Sequence, residues 1–415
     1  MVLQDFPRFP RTILTPSVLQ CSKLSKIFPG DVALPGSETY NASNNFWSSR
    51  QSELTPRCFV TPRSTANVSV IVKTLTCAKA PFTVKSGGHS AFAGASNIDD
   101  GVTIDLGHLN EITVSDDKET VSIGPGNRWI NVSEALDPQG LAVVGGRVAS
   151  VGVSGLLLGG GISYFSGKYG WACDNVREYE VVLSSGKVVN ASPEENTDLY
   201  GALRGGGGSN LGIVTRFDLA AFPQGDLWSN TLVFPGAMNQ SLIPSFVDLA
   251  QNQLQEDSDA HSYFIMSYQP DFGGSIVAAS FYHATFADED EVPPVFQSFH
   301  DASDPLLSTT NVTNISAQTR AIDEPYGLRQ TWWDTSVKIK SPELFQKIVA
   351  LYDAHLAVLL EAAGDSVLLP FLVYQPISVN ILEAMQKNGG NALGLHPDDG
   401  ALMIIQLTQV VGSRA

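Results

Sequence analysis

The chain has 415 residues, enough for two or three domains with a sizeable core, and its 43% hydrophobic and 16% charged content is that of a globular protein rather than a disordered one. A formal net charge of -17 and a pI near 4.7 set aside nucleic acid and anionic membrane surfaces as partners, because their phosphates would be repelled. Small-molecule chemistry is the class that remains.

No stretch approaches the roughly 18 consecutive apolar residues of a membrane helix, so no membrane span is expected. The first twenty residues carry Asp5, Arg8, Arg11 and three prolines and lack the apolar run of a signal peptide. Seven Asn-x-Ser/Thr sequons, at Asn41, Asn67, Asn131, Asn190, Asn239, Asn311 and Asn314, point instead to the secretory pathway. Localisation therefore stays open between secreted and cytoplasmic. Cys21, Cys58, Cys77 and Cys173 have no C-x-x-C spacing and the histidines no H-x-x-x-H spacing, so no metal site is expected. Bridged cysteines and four buried thiols are both open.

Residues 1–53, with Pro, Asn and Ser throughout, read as an irregular N-terminal segment. Ser64 caps a helix whose apolar face is Val68, Ile71, Val72 and Leu75. Residues 81–84 form a strand that delivers the loop Lys85-Ser-Gly-Gly-His-Ser90. Adjacent glycines permit positive φ and let backbone N–H groups approach a bound group closely. A histidine held after such a turn suits a nucleophile, a metal ligand or a general base. Taken alone, the loop reads rather as a glycine turn with an incidental histidine.

Residues 102–106, 112–114 and 120–123 read as strands, the last two turned at Asp116-Asp117. A helix over 129–136, stopped by Pro138, leads to a strand at 141–144. Glycine then gathers at Gly145-Gly146, Gly152, Gly155 and Gly159-Gly160-Gly161, and again from Gly205 to Gly208 with Ser209-Asn210-Leu211-Gly212, before a strand over 213–219. So much glycine costs backbone entropy, which close approach to a flat or phosphorylated group explains. None of these clusters fits G-x-G-x-x-G or G-x-x-x-x-G-K-[ST], and Leu156 breaks a G-x-S-x-G match. After Phe222-Pro-Gln-Gly225 the pattern shifts to helices over 242–254 and 342–363 and strands over 262–268, 275–282, 367–374 and 401–410, an α+β unit with a mainly antiparallel sheet. The expected domains are 1–53, 54–225 and 226–415.

Four motifs in order, Ser86-Gly-Gly-His-Ser90, Val151-Gly-Val-Ser-Gly-Leu-Leu-Leu-Gly-Gly-Gly161, Lys168-Tyr-Gly-Trp-Ala-Cys-Asp-Asn175 and Gly208-Ser-Asn-Leu-Gly-Ile-Val-Thr215, resemble the FAD-linked oxidoreductases of the vanillyl-alcohol oxidase superfamily. Within it they resemble the fungal berberine bridge enzyme-like group. The resemblance implies an α+β, two-domain flavoprotein: an FAD-binding domain, then a substrate domain with a mainly antiparallel sheet.

It implies FAD covalently joined to His89, with its pyrophosphate on Gly87, Gly88 and Gly159, Gly160 and Gly161 and its adenine near Ile213 and Val214. Ser86, Ser90, Val151, Gly152, Gly155, Tyr169, Asn210 and Gly212 complete the expected cofactor site. Val148 stands where many relatives have a second flavin-linking cysteine, so a single link through His89 is expected. A small residue at Val151, where relatives control oxygen access, favours an oxidase.

The activity implied is hydride removal from a small organic substrate, a secondary metabolite or a sugar, with electrons passed to O2 and hydrogen peroxide released. The alternatives are a dehydrogenase with another acceptor and a catalytically weak or flavin-free metabolite-binding relative. Tyr374 is the candidate base, against a purely packing role in its sheet. A monomer is expected. The resemblance further implies a Cys21–Cys77 disulfide worth about 4 kcal/mol in the chain-entropy model, with Cys173 free. Relatives continue past residue 415 with a segment that returns to the flavin, so a shortened, poorly active form is also expected.

Overall fold

The computed structural model describes residues 16–301, 305–364 and 368–412. Four short strands, β1 (Val32–Ala33), β2 (Cys58–Val60), β3 (Phe82–Lys85) and β4 (Val102–Asp105), form a sheet in the order β1-β2-β4-β3, in which β4 is parallel to β2 and β3. Parallel strands need a crossover, and the helix Thr65–Cys77 lies between β2 and β3 in the chain to supply it. Ser64 caps this helix by accepting the Asn67 N–H, and Val68, Ile71, Val72 and Leu75 are buried, as their spacing predicts.

A second, antiparallel sheet takes β5 (Ile112–Val114), β6 (Thr120–Ile123), β8 (Val176–Val182), β9 (Val188–Ala191) and β10 (Ile213–Pro223) in the order β5-β6-β10-β8-β9, and β7 (Leu141–Val143) pairs with the far end of β10. Two glycine-rich stretches feed this sheet: the residues before the helix Val153–Gly159, and the turn that leads into β10.

The third sheet is antiparallel and seven-stranded: β11 (Leu227–Pro235), β12 (Ala260–Gln269), β13 (Gly274–His283), β14 (Leu307–Thr313), β15 (Arg329–Lys338), β16 (Leu368–Ile377) and β17 (Leu402–Val411), in the order β14-β11-β13-β12-β16-β17-β15. Its strands alternate between two buried faces. Phe264, Met266, Phe281, Leu372, Tyr374 and Met403 pack under the helices Asn239–Asp248 and Pro342–Ala363. Tyr263, Ile265 and Tyr282 face the other way, into the core built on the second sheet.

Several elements differ from expectation. The segment before residue 53 holds the helices Pro16–Ile27, Glu38–Ser43 and Ser49–Ser52; the middle one is capped by Ser37, which accepts the Tyr40 N–H. Three strands of the seven-stranded sheet were not legible. In β11 the central Ser229 and Asn230 interrupt the apolar pattern, yet both are buried and hydrogen-bonded, Ser229 to Gln318 and Asn230 to Thr310. Polar β14 and β15 are the sheet's edges, where polar side chains discourage further pairing.

Cys21 is bridged to Cys58, not to Cys77. The N-terminal helix lies over β2, where Cys21 and Cys58 share one apolar core with Leu24 and Val60, whereas Cys77 ends its helix exposed and free. Cys173 is free and buried. Among the described residues no helix is long and apolar enough to cross a membrane.

Candidate active site

A cavity of ≈ 720 Å³ opens where the three sheets meet, a volume suited to a large organic ligand. One wall is the β3–β4 connection, Ser86 to Ser90; a second is the start of the helix Val153–Gly159; a third is Asn210 to Val214 at the head of β10. Of the residues singled out in the sequence, Ser86, Gly87, Gly88, His89, Ser90, Val151, Gly152, Gly155, Asn210, Gly212, Ile213 and Val214 line it, and so does Val148.

The glycines are required by contact. A Cβ on Gly87 would lie 2.4 Å from the Gly152 Cα, and one on Gly152 2.5 Å from the Gly87 nitrogen. These two backbones touch, which fixes the histidine loop against the 151–155 turn and leaves a surface without side chains for a ligand to lie on. Gly88, with φ +65°, makes the left-handed turn that precedes His89.

Five expected site residues lie outside the cavity. Gly160 and Gly161 accommodate protein instead: an added Cβ would meet the Trp171 ring at 2.5 Å and Leu156 at 2.3 Å respectively. Gly159 ends its helix without lining the cavity. Tyr169 stacks on Phe222, centroids 4.4 Å apart, in the second-sheet core. Tyr374 is fully buried among Phe264 and Phe345, and its hydroxyl donates to the Phe345 carbonyl at 2.8 Å. Strand alternation turns Tyr374 toward the helices, so its neighbour Gln375 points to the opposite face of the sheet, where it meets Arg147.

His89 is held on every side. Trp47 stacks on the ring with centroids 4.1 Å apart, Tyr326 meets it edge-on at 6.3 Å, and Nε2 lies 3.1 Å from Ser150 Oγ. Ser150 Oγ donates in turn to Asp323 Oδ1 at 2.5 Å, which leaves its oxygen to accept from His89 Nε2–H. Nδ1 then keeps its lone pair and has no side-chain partner among the described residues. Burial brings the imidazole down to about 4, so it is neutral across the physiological range.

Four residues of the site carried no recognisable sequence signal. Trp47 from the N-terminal segment, Glu324 from the turn after the helix Ile315–Ala321 and Trp332 from β15 line the cavity, and Tyr326, from the same turn as Glu324, packs edge-on against His89. Burial first, and then the neighbouring Asp323, push the Glu324 carboxyl up to about 7. The run Asp323-Glu324-Pro325 has no periodicity from which this could be read.

Beside the cavity, Arg147 reaches the seven-stranded sheet. Its Nη1 is 2.8 Å from His261 Nε2 and donates to Gln375 Oε1 at 2.9 Å, and the guanidinium lies 5.0 Å above the Tyr263 ring. Farther out, Arg204 and Asp174 form a fully buried ion pair at 3.2 Å. Arg204 also donates to the carbonyls of Lys387 and Asn388, and Asp174 accepts from Asn391 and the Trp171 N–H. The Lys168–Asn175 motif is thus a scaffold that ties the helix Thr197–Gly206 to the segment after β16.

An FAD-binding domain family model matches residues 56–192. An FAD-dependent monooxygenase of Cochliobolus heterostrophus is 36% identical over 370 residues, covering 86% of this chain and 70% of its own. A bifunctional solanapyrone synthase of Alternaria solani is 32% identical over 382 residues, covering 91% and 70%. Among solved structures, berberine bridge enzyme in complex with (S)-reticuline superposes with a TM-score of 0.75 at 15% identity, covering 95% of this chain and 79% of that one, which bears on fold alone. A two-domain fold with a mainly antiparallel second sheet, a glycine-walled cavity and these relatives agree: the chain belongs to the berberine bridge enzyme-like family of FAD-linked oxidoreductases.

Proposed function

We propose that FAD lies in the cavity along the Gly87–Gly152 contact, covalently attached at His89 Nδ1, and that the protein oxidises a small organic molecule held between the cofactor and the seven-stranded sheet. Bound FAD would accept a hydride from the substrate and pass two electrons to dioxygen, giving hydrogen peroxide. The chain's own residues hold and shield. The Gly87, Gly88 and Gly152 backbones admit the cofactor, Asn210 to Val214 take its far end, and Trp47 and Tyr326 keep water from the imidazole. Ser150 holds the His89 proton on Nε2. The free lone pair of His89 Nδ1 carries this reading. Val148 has no thiol, so one covalent link is expected.

Glu324 replaces Tyr374 as candidate base, since its carboxyl lines the cavity and titrates near neutrality. The family position and the synthase name of the Alternaria relative support a secondary metabolite as substrate. The sequons and the Cys21–Cys58 bridge support an exported protein.

The test is the visible spectrum of the purified protein, before and after denaturation, in wild type and His89→Ala. Flavin that stays with the denatured wild type and leaves the denatured variant is the expected result; flavin retained by denatured His89→Ala would overturn the attachment. A colourless wild type would overturn the cofactor reading. The monooxygenase name of the Cochliobolus relative favours a second reading, in which an oxygen atom enters the product. Turnover under isotopically labelled dioxygen separates the two, because only oxygen insertion labels the product.

A further inference from the structure

Arg147 is half-buried, and none of the ion pairs found among the described residues includes it. What meets its side chain is neutral. A guanidinium only donates, so His261 Nε2 must accept from it, which fixes His261 as the neutral tautomer protonated on Nδ1. Burial, and then the charge of Arg147, also hold His261 well below its ordinary range. Gln375 is turned so that its oxygen faces Arg147 while its nitrogen donates to the Ser262 and Pro376 carbonyls. The Tyr263 face and the Tyr164 hydroxyl, which donates to the Arg147 carbonyl, bring no negative charge either.

A permanently charged group left without a counter-ion in a half-buried place is costly, and here the fold holds it with neutral acceptors on one edge only. Both hydrogen bonds use Nη1. The Nε and Nη2 edge makes none among the described residues, and that edge has the parallel donors that match a planar pair of oxygens. Its chain neighbour Val148 lines the cavity. The guanidinium itself is not among the residues that line the cavity; it extends from that wall onto His261, Gln375 and Tyr263 of the sheet, so its free edge lies beside the cavity.

We propose that the Nε/Nη2 edge of Arg147 binds an anionic oxygen pair of the substrate, a carboxylate or a delocalised oxyanion of the same shape. His261, Gln375 and Tyr263 are positioning residues that hold the guanidinium. The site rests on the proposed function only in taking this side of the cavity as the substrate side. It confines substrates to molecules that carry such an anion within reach of the bond to be oxidised. With the chain strongly acidic overall, Arg147 is a local receptor, and long-range attraction contributes nothing to it.

Benzoate and its neutral isostere benzamide are the probes. Each is titrated by calorimetry into the purified protein, after its visible spectrum has been recorded, in wild type, Arg147→Gln and Arg147→Lys. The expected result is benzoate bound about tenfold or more tighter than benzamide by wild type, the difference one charge-assisted contact confers. Arg147→Gln should lose the preference and Arg147→Lys keep part of it. Equal affinities in wild type, no binding of benzoate by wild type, or a preference that persists in Arg147→Gln would each overturn the site. The wild-type comparison decides even if a variant does not fold. Because heat is read, a colourless protein would sink the flavin reading while the anion site is still decided.

Discussion

Trp47 lies face to face with His89, the ring planes 12° apart. The same tryptophan joins three distant parts of the chain: its N–H donates to the Gly88 carbonyl, and its carbonyl accepts from the Gly327 N–H. It is the sequence-invisible half of the histidine site. Replacing Trp47 by Ala removes a fully buried ring and should cost about 3–5 kcal/mol of stability. It should also free the imidazole to rotate. Thermal unfolding checks the first effect, and the fraction of flavin that survives denaturation checks the second; Trp47→Phe should restore most of both.

Ser150 and Asp323 set the tautomer of His89 and touch no cavity ligand in this role. Asp323→Asn and Ser150→Ala should leave folding intact and slow covalent flavin incorporation about tenfold or more, the effect of losing one charge-assisted hydrogen bond. Following acid-stable flavin with time after FAD addition measures this. Rates equal to wild type would show that the lone pair on Nδ1 needs no help.

Glu324 gives a pH signature. Its carboxyl titrates at 4.5 when unfolded and about 7 when folded, so between those values the folded state binds the extra proton. Stability from this group therefore falls as pH rises from 4.5 to about 7 and is flat above. Glu324→Gln cannot ionise, so its stability relative to wild type should climb across that window and level off at higher pH. Chemical denaturation at several pH values tests it. In turnover, the same group should give a wild-type rate that rises with an apparent pKa near neutrality and a variant without that limb.

The Gly87–Gly152 contact allows no side chain. Gly152→Ala must push the two backbones apart and should destabilise by about 1–3 kcal/mol and weaken FAD binding more than an alanine at Gly155, where the added Cβ meets nothing within 4 Å. Equal flavin content in the two variants would show that the cradle is not built on this contact.

Glycine was the most informative residue type in the sequence, because close approach leaves a trace in composition. It marked the loop at 86–90, the turn at 151–155 and the head of β10. It misled at Gly160 and Gly161, where the close neighbour is the protein's own Trp171 and Leu156 rather than a ligand. Tyr374 was misread because a strand buried on both faces has no polar side to reveal which alternate residue looks where. Trp47, Asp323 and Glu324 were silent because their role exists only through contacts between parts of the chain distant in sequence, which no local period records. The cysteine pairing that the resemblance implied failed for a related reason: Cys77 ends its helix exposed, away from the core that Cys21 enters with Cys58.

The bridge between Ser48 and Leu328 brings the two ends of this wall together, with the Ser49 N–H donating to the Leu328 carbonyl. A ribosome delivers those partners many seconds apart, at roughly 5–20 residues per second. Until residue 328 has left the ribosome, the glycine loop and its histidine exist without Asp323, Tyr326 or the segment that locks Trp47. On the proposed cofactor site, the emerging chain would carry an open cradle with an unpoised imidazole, and the order of synthesis would make cofactor capture a late event in the protein's maturation.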